Sequence, residues 1–369
     1  MIAFGPTEEQ DLIRQTVHEF AEGEMREIAR PCDEKRELPD ELLQKSWELG
    51  LVAGAIPESY GGGGIGRSPV THALVLEELG WGDVPLAAAA MTPALFVQPI
   101  LDFGTDEQKQ TYLPLFTGSK FHAASLAILE PSFTFDAGNL RTIAEPKGTG
   151  FSLTGAKRLV PLAASASHLL VVARGARKGL AGLEAFIVPR DAKGLTISAE
   201  TERTLGFQAL PRYAVELERV EVPASARLGG EKGIDGARLV NSLRTASCAL
   251  AVGLARGVME LAIPYAKERI AFGQPIAQKQ AIAFMLAEMQ IEVNSMRHLV
   301  WKAASQLENG LDATRETTLA QTYVSREVMK LADNGLQIFG GHGFIREYPV
   351  EMWYRNARAL TVNEAVCAL

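Results

Sequence analysis

At 369 residues, 47% of them apolar, the chain exceeds one ordinary hydrophobic core and can fill two or three packed subdomains. Its formal charge of −7 excludes the basic footprint of a nucleic-acid binder or of a polybasic membrane patch. Three distant cysteines (Cys32, Cys248, Cys367) without CxxC or Cys/His spacing, and six scattered histidines, argue against a zinc site or a disulfide framework.

The N-terminus, MIAFGPTEEQ, has no signal-type apolar region, and no apolar run reads as a membrane span. The expectation is a soluble protein of a reducing, cytoplasmic compartment.

The first third reads as helical. Thr7 caps a segment whose Leu12, Ile13, Val17, Phe20 and Ala21 recur at helical spacing. Pro39 opens another, with Leu42, Leu43, Trp47 and Leu51. PESYGGGGIG is a loop. Helical patterns resume through Val75, Leu76 and Leu79, again from Pro93 to Leu101, and in TDEQKQTYLPLFTG with its cap and acidic first turn.

From about Phe121 short β-prone runs appear: AASLAIL, GFSLTGAKRLV, HLLVVAR, AFIVPR and AVELERVEVP. Gly and Pro punctuate them as in an antiparallel unit, with hairpin loops over 145–150 and 174–179. This texture ends near Leu228.

Longer helices then return. Ala249, Gly253 and Gly257 form a ladder of small residues that permits close helix approach. Ile282, Met285, Met289, Val293, Met296, Val300, Ala303 and Leu307 make a stripe that reads as bundle core. A third helix spans about Thr317 to Leu336. The expected division is a helical domain over 1–120, a β domain over 121–228 and a helical bundle over 229–369.

The last 33 residues begin with a Gly cluster (Gly340, Gly341, Gly343) and reach Glu364 five residues before the end. Such glycines either end a helix or let backbone approach a ligand. A carboxylate in this position is either a base or a solvated tail acid. The residues alone leave both pairs open.

Several motifs, in the correct order over nearly the whole chain, resemble the acyl-CoA dehydrogenase family. RIAFGQPI (269–276) with Gln280 resembles its RxxFGxPIxxxQ signature. QIFGGHG (337–343) and EYPVEMWYR (347–355) resemble two further family segments. PESYGGGG, FGTDEQKQTYLPLFTG, Glu130–Pro131 and VEVP at 220–223 are weaker matches. The resemblance implies an α+β fold: an N-terminal α-helical domain, a middle β-barrel-like domain and a C-terminal four-helix bundle.

It also implies FAD-dependent oxidation of an acyl-CoA thioester to a trans-2-enoyl-CoA. A Glu carboxylate removes the α-proton, and the electrons pass to electron-transfer flavoprotein. By the same resemblance, Arg269, Phe272 and Gln280 meet FAD across a subunit boundary. Gln337, Gly340 and Gly341 pack near its adenosine side. A site shared in this way implies an oligomer. Glu364 stands at the family's usual base position, while the alternative base position holds Leu243. Arg244 matches a residue near the CoA moiety, although an ordinary helix-surface charge is the other reading.

The β-domain half of the expected FAD site departs from the family pattern. Leu129 stands where a flavin-contacting Thr or Ser precedes Glu-Pro, and Phe135 replaces a small Ser near CoA. In KRLVPLA, Leu159 replaces a Trp, and Pro161 replaces a hydroxyl residue and lacks an N–H. Each lost hydrogen bond to a flavin costs on the order of 1 kcal/mol. After Glu364 come Ala365 and Val366 instead of Gly-Thr, and the family's closing helix has no counterpart. Three readings follow: a working homo-oligomeric dehydrogenase, one subunit of a heteromeric dehydrogenase for bulky or steroid-type CoA esters, or a non-catalytic CoA-ester or protein-binding homologue.

Overall fold

A computed structural model describes residues 5–132 and 134–362. The N-terminal part is helical. α1 (Glu8–Phe20) begins at a capping box, in which Thr7 and Gln10 satisfy each other's backbone N–H groups. It continues through a π-helical turn, Ala21–Arg26, into α2 (Glu27–Lys35). α3 (Asp40–Glu48), α4 (Pro69–Gly82), α5 (Val84–Ala90), α6 (Ala94–Phe103) and α7 (Asp106–Tyr112) follow. Thr105 and Gln108 form a second capping box at the start of α7.

The middle part is one seven-stranded sheet. Its strands are β1 (Ser125–Ala127), β2 (Ile143–Lys147), β3 (Gly150–Pro161), β4 (His168–Arg174), β5 (Leu183–Pro189), β6 (Leu195–Ile197) and β7 (Arg212–Pro223). The path runs β1-β4-β2-β3-β7-β6, with β5 also on β4. The sequence reading needs two corrections here. The sheet is mixed, because β1 runs parallel to β4. The first half of the expected loop over 145–150 belongs to β2, whose exposed Glu145, Pro146 and Lys147 disguise it as a turn, and Gly150 already pairs with Lys147 at the start of β3.

The C-terminal part holds α8 (Gly236–Glu268), a hairpin of β8 (Ile270–Ala271) and β9 (Gln274–Pro275), then α9 (Gln280–Glu308), α10 (Thr314–Phe339), α11 (Gly341–Phe344) and α12 (Val350–Val362). α8 packs on α4 through glycine. A Cβ at Gly253 would lie 2.1 Å from the Glu77 carbonyl, and one at Gly80 would lie 2.6 Å from that of Leu250. Beside this crossing Arg256 and Arg297 pair with buried Glu77 at 3.2 and 2.7 Å, and Arg256 also pairs with Glu78. Paired in this way, the two acids are tolerated inside.

By length and composition α8 could cross a membrane, contrary to the sequence expectation, but 78% of its most apolar window is buried inside the protein. The α9 stripe also needs correction. Met289 to Leu307 are buried, whereas Ile282 and Met285 are only partly covered and Phe284 and Ile291 are exposed. The first turns of α9 therefore pack on the core by one face only and expose the other.

Candidate functional site

The residues matched to the family fall on two different surfaces. The first is the junction between the sheet and the helices. Leu129, two residues beyond β1, is buried, and its carbonyl accepts the Arg158 N–H at 2.9 Å. Below it Glu130 accepts backbone N–H groups from Arg141 and Thr142, at 2.6 and 2.8 Å. It also pairs with the fully buried Lys157 Nζ at 2.9 Å.

Burial works to raise the Glu130 carboxyl; the Lys157 charge and the backbone donors outweigh it and hold the group below its usual range. Burial pushes Lys157 down to about 8 despite Glu130. This pair fixes the segment carrying Leu129 onto β3.

β3 breaks register on β7 between Lys157 and Val160. The bulge turns Leu159 into the left-handed region (φ 52°). Its N–H donates to Glu202 at 2.5 Å, and Glu202 also accepts from Arg158 Nε at 2.7 Å. Pro161 closes the strand, buried, opposite Arg212. Leu129, Leu159 and the half-buried Phe135 all pack in the apolar cluster that contains Met91, Leu95 and Leu243. The structure thus brings Leu129 and the Leu159–Pro161 segment to one junction with aliphatic side chains, and Phe135 packs on the same extended apolar core.

The second surface is the outer end of the helical bundle. Arg269 closes α8, with its N–H on the Tyr265 carbonyl at 2.8 Å and its side chain exposed. In the hairpin that follows, Phe272 and Gly273 both take positive φ, 54° and 82°, the signature of a type I′ turn. A bulky residue there is strained. Phe272 is 94% exposed, and Lys279 Nζ lies 5.6 Å from its ring.

Gln280 opens α9, and Gln337 lies on the last turn of α10; both are exposed. Gly340 takes φ 57° and ψ −129°, a glycine conformation, and leads into Gly341. A Cβ at Gly273, Gly340 or Gly341 would meet nothing within 4 Å. This chain therefore leaves that backbone uncovered.

Aromatic residues that the motif reading missed hold the two helix ends together. Tyr265 stacks on Phe339 at 3.9 Å, and its hydroxyl lies 2.8 Å from His342 Nδ1. Helical spacing places Tyr265 one turn before Arg269, but its stacking on Phe339 is not encoded in that spacing.

Arg244 lies in the first third of α8, next to Leu243. With Ser247, Cys248, Leu360 and Thr361 it lines a space of about 20 Å³, enough for about one water. Burial pushes the Cys248 thiol up to about 12 although the Arg244 charge works to lower it, so Cys248 is no thiolate nucleophile. Leu243 is buried. Glu364 lies outside the described residues; α12, which ends at Val362, brings Leu360 and Thr361 to the space beside Arg244. Among the described residues no group of three His, Cys, Asp or Glu could hold a metal ion.

A flavin dinucleotide fits the outer surface by donor type: an exposed guanidinium for phosphate, two exposed amides and bare glycine backbone. The junction offers an apolar wall with two fixed backbone segments.

Three family profiles match in chain order: the acyl-CoA dehydrogenase N-terminal domain over residues 7–119, the middle domain over 125–220 and the C-terminal domain over 236–364. An acyl-CoA dehydrogenase of Bacillus subtilis is 33% identical, covering 97% of this chain and 94% of its own. The caffeyl-CoA reductase-Etf complex subunit CarC of Acetobacterium woodii is 34% identical, covering 97% and 95%. The solved butyryl-CoA dehydrogenase from Megasphaera elsdenii superposes with a TM-score of 0.89 at 29% identity, covering 98% of this chain and 96% of that one. Helical, β and helical parts in this order, with the family's motifs on them, make the chain a member of the acyl-CoA dehydrogenase family, oxidoreductases whose cofactor is FAD.

Proposed function

We propose that the chain takes part in the α,β-dehydrogenation of an acyl-CoA thioester to a trans-2-enoyl-CoA, with Glu364 as the α-proton base. The observation that carries this reading is the set of exposed family residues at the ends of α8 and α10, with their glycine backbone left open. Arg269, Phe272, Gln280, Gln337, Gly340 and Gly341 would hold FAD from that side, Arg269 by ion pairing with phosphate. Leu129 and Pro161 would flank its ring from the junction, and Phe135 and Arg244 would meet the CoA ester. FAD, when bound, accepts the substrate β-hydrogen as hydride.

This chain's own contributions are the proton acceptor and water exclusion. An apolar junction disfavours the charged form of a carboxylate beside it, which makes that carboxylate a stronger base. The name of the CarC relative supports electron-transfer flavoprotein as the electron acceptor.

A second reading is favoured by the contrast between the two surfaces. The half that would serve a neighbouring subunit's FAD keeps its polar groups, and the junction half has lost its hydroxyls. Such a chain suits a hetero-oligomer in which a second dehydrogenase-like chain completes the site.

The test is colour and bleaching. Purified chain with about one FAD per subunit, losing its oxidised-flavin absorbance on adding butyryl-CoA or a steroid-type acyl-CoA, supports the first reading. Colour and bleaching only on co-expression with a second dehydrogenase-like chain support the second. In either case Glu364→Gln should keep FAD and abolish bleaching; undiminished bleaching removes Glu364 as the base.

A further inference from the structure

The N-terminal helices do not close on one another. Between α1, the turn after α3 and α4 lies a cavity of about 250 Å³. Its walls are mostly aliphatic, with Leu12, Leu49, Leu51, Ile65 and Val75 among them, and Arg67, His72 and Gln98 add a polar lining. An apolar cavity of about 150 Å³ already admits benzene. None of Leu129, Arg244, Arg269 or Gln337 touches this space.

Its polar groups are incompletely paired. The Arg67 side chain is 13% exposed and forms a long ion pair with Asp102 at 3.6 Å, an acid it shares with Arg238. Arg67 Nε and Nη1 are buried without an acceptor. The Gln98 amide nitrogen, a donor, lies 3.1 Å from His72 Nδ1, which assigns the proton of the neutral ring to Nε2. His72 Nε2 and Gln98 Oε1 are also buried without partners. Burial, and then the Arg67 charge, hold His72 well below its usual pKa, so the ring is neutral. Buried hydrogen-bonding groups left without partners destabilise the empty cavity. Bound water could offset that cost at the polar lining but gains nothing against the aliphatic walls.

We propose that this cavity binds a medium-chain aliphatic carboxylate, with its oxygens on Arg67 and His72 and its chain along the aliphatic walls. Two oxygens match the donors of a guanidinium edge and an imidazole N–H. The alkyl chain matches Leu12, Leu49, Leu51 and Ile65. The site stands apart from the flavin and CoA residues, so it does not depend on the dehydrogenase reading.

The test is calorimetric titration of the full-length protein, as purified, with sodium octanoate. Wild type should bind about one octanoate per chain. Arg67→Leu should weaken binding about tenfold or more through loss of the charged hydrogen bonds. Ala55→Phe, which adds an aromatic ring at an apolar position of the lining, should abolish binding. Neither variant should change flavin absorbance. 1-Octanol, which lacks the carboxylate, should bind about as poorly to wild type as octanoate does to Arg67→Leu. Absence of binding by wild type would mean that the cavity holds water only. Undiminished binding by both variants would place octanoate elsewhere, the acyl site included, and equal binding of 1-octanol would remove carboxylate recognition. Each of these three results overturns the proposal.

Discussion

Arg158 donates its backbone N–H to the Leu129 carbonyl at 2.9 Å, which makes the two segments that differ most from the family pattern one hydrogen-bonded unit. Changes on one strand are therefore felt on the other. Leu129→Thr restores a hydroxyl to this wall and should tighten FAD binding by about fivefold, as one net hydrogen bond of about 1 kcal/mol implies. Titration of the flavin-free protein with FAD reads it, and unchanged affinity would mean that the flavin ring does not rest on Leu129.

Lys157 and Glu130 form the pair beneath that wall. Lys157→Met leaves a buried carboxylate without its cation and should cost about 3–5 kcal/mol in urea unfolding. The double variant Lys157→Met, Glu130→Gln should recover part of the loss. If the single variant were as stable as wild type, the pair would not anchor the Leu129 segment.

Asp83 caps α5, accepting the Leu86 N–H at 3.1 Å, and its second oxygen is buried without a partner. Burial, with Asp33 adding repulsion, raises its pKa to about 7 from an ordinary 3.8. Between those values the folded state holds a proton that the unfolded chain has released, so this group's contribution to stability falls as pH rises from about 4 to about 7. Asp83→Asn keeps the cap, removes the charge, and should stabilise the protein at pH 8 by on the order of 2 kcal/mol while changing little at pH 4. Thermal unfolding across this pH range checks it; parallel curves for the two proteins would refute the assignment.

Gly253 lies where α8 meets α4. Gly253→Ala would drive its methyl group into the Glu77 carbonyl and should destabilise the fold by about 1–3 kcal/mol or more despite alanine's better helix propensity. A stabilised variant would show that the helices separate at little cost.

Much of this was legible in sequence. Capped amphipathic helices announced themselves at Thr7 and in TDEQKQTY, and the small-residue ladder announced the α8 crossing at Gly253. The β2 strand was hidden because its polar, exposed outer residues look like a turn. The parallel β1–β4 pairing is a long-range event that alternation cannot encode. At the candidate site, motif spacing singled out Arg269, Gln280 and Gln337, but not the Tyr265–Phe339–His342 packing beside them, because stacking depends on how two helices end in space. Leu159 and Phe272 were readable as residues, while their left-handed backbone was not.

Because α8 is apolar enough to span a bilayer, its coverage during synthesis matters. α4, against which its glycine face packs, precedes it in the chain and leaves the ribosome first. The nascent α8 meets a waiting partner instead of bare solvent or lipid, and translation order protects the segment with most to lose from delay. A circular permutant that placed α8 ahead of α4 would emerge with that greasy segment uncovered, and should recruit chaperones or aggregate although its finished contacts are the same.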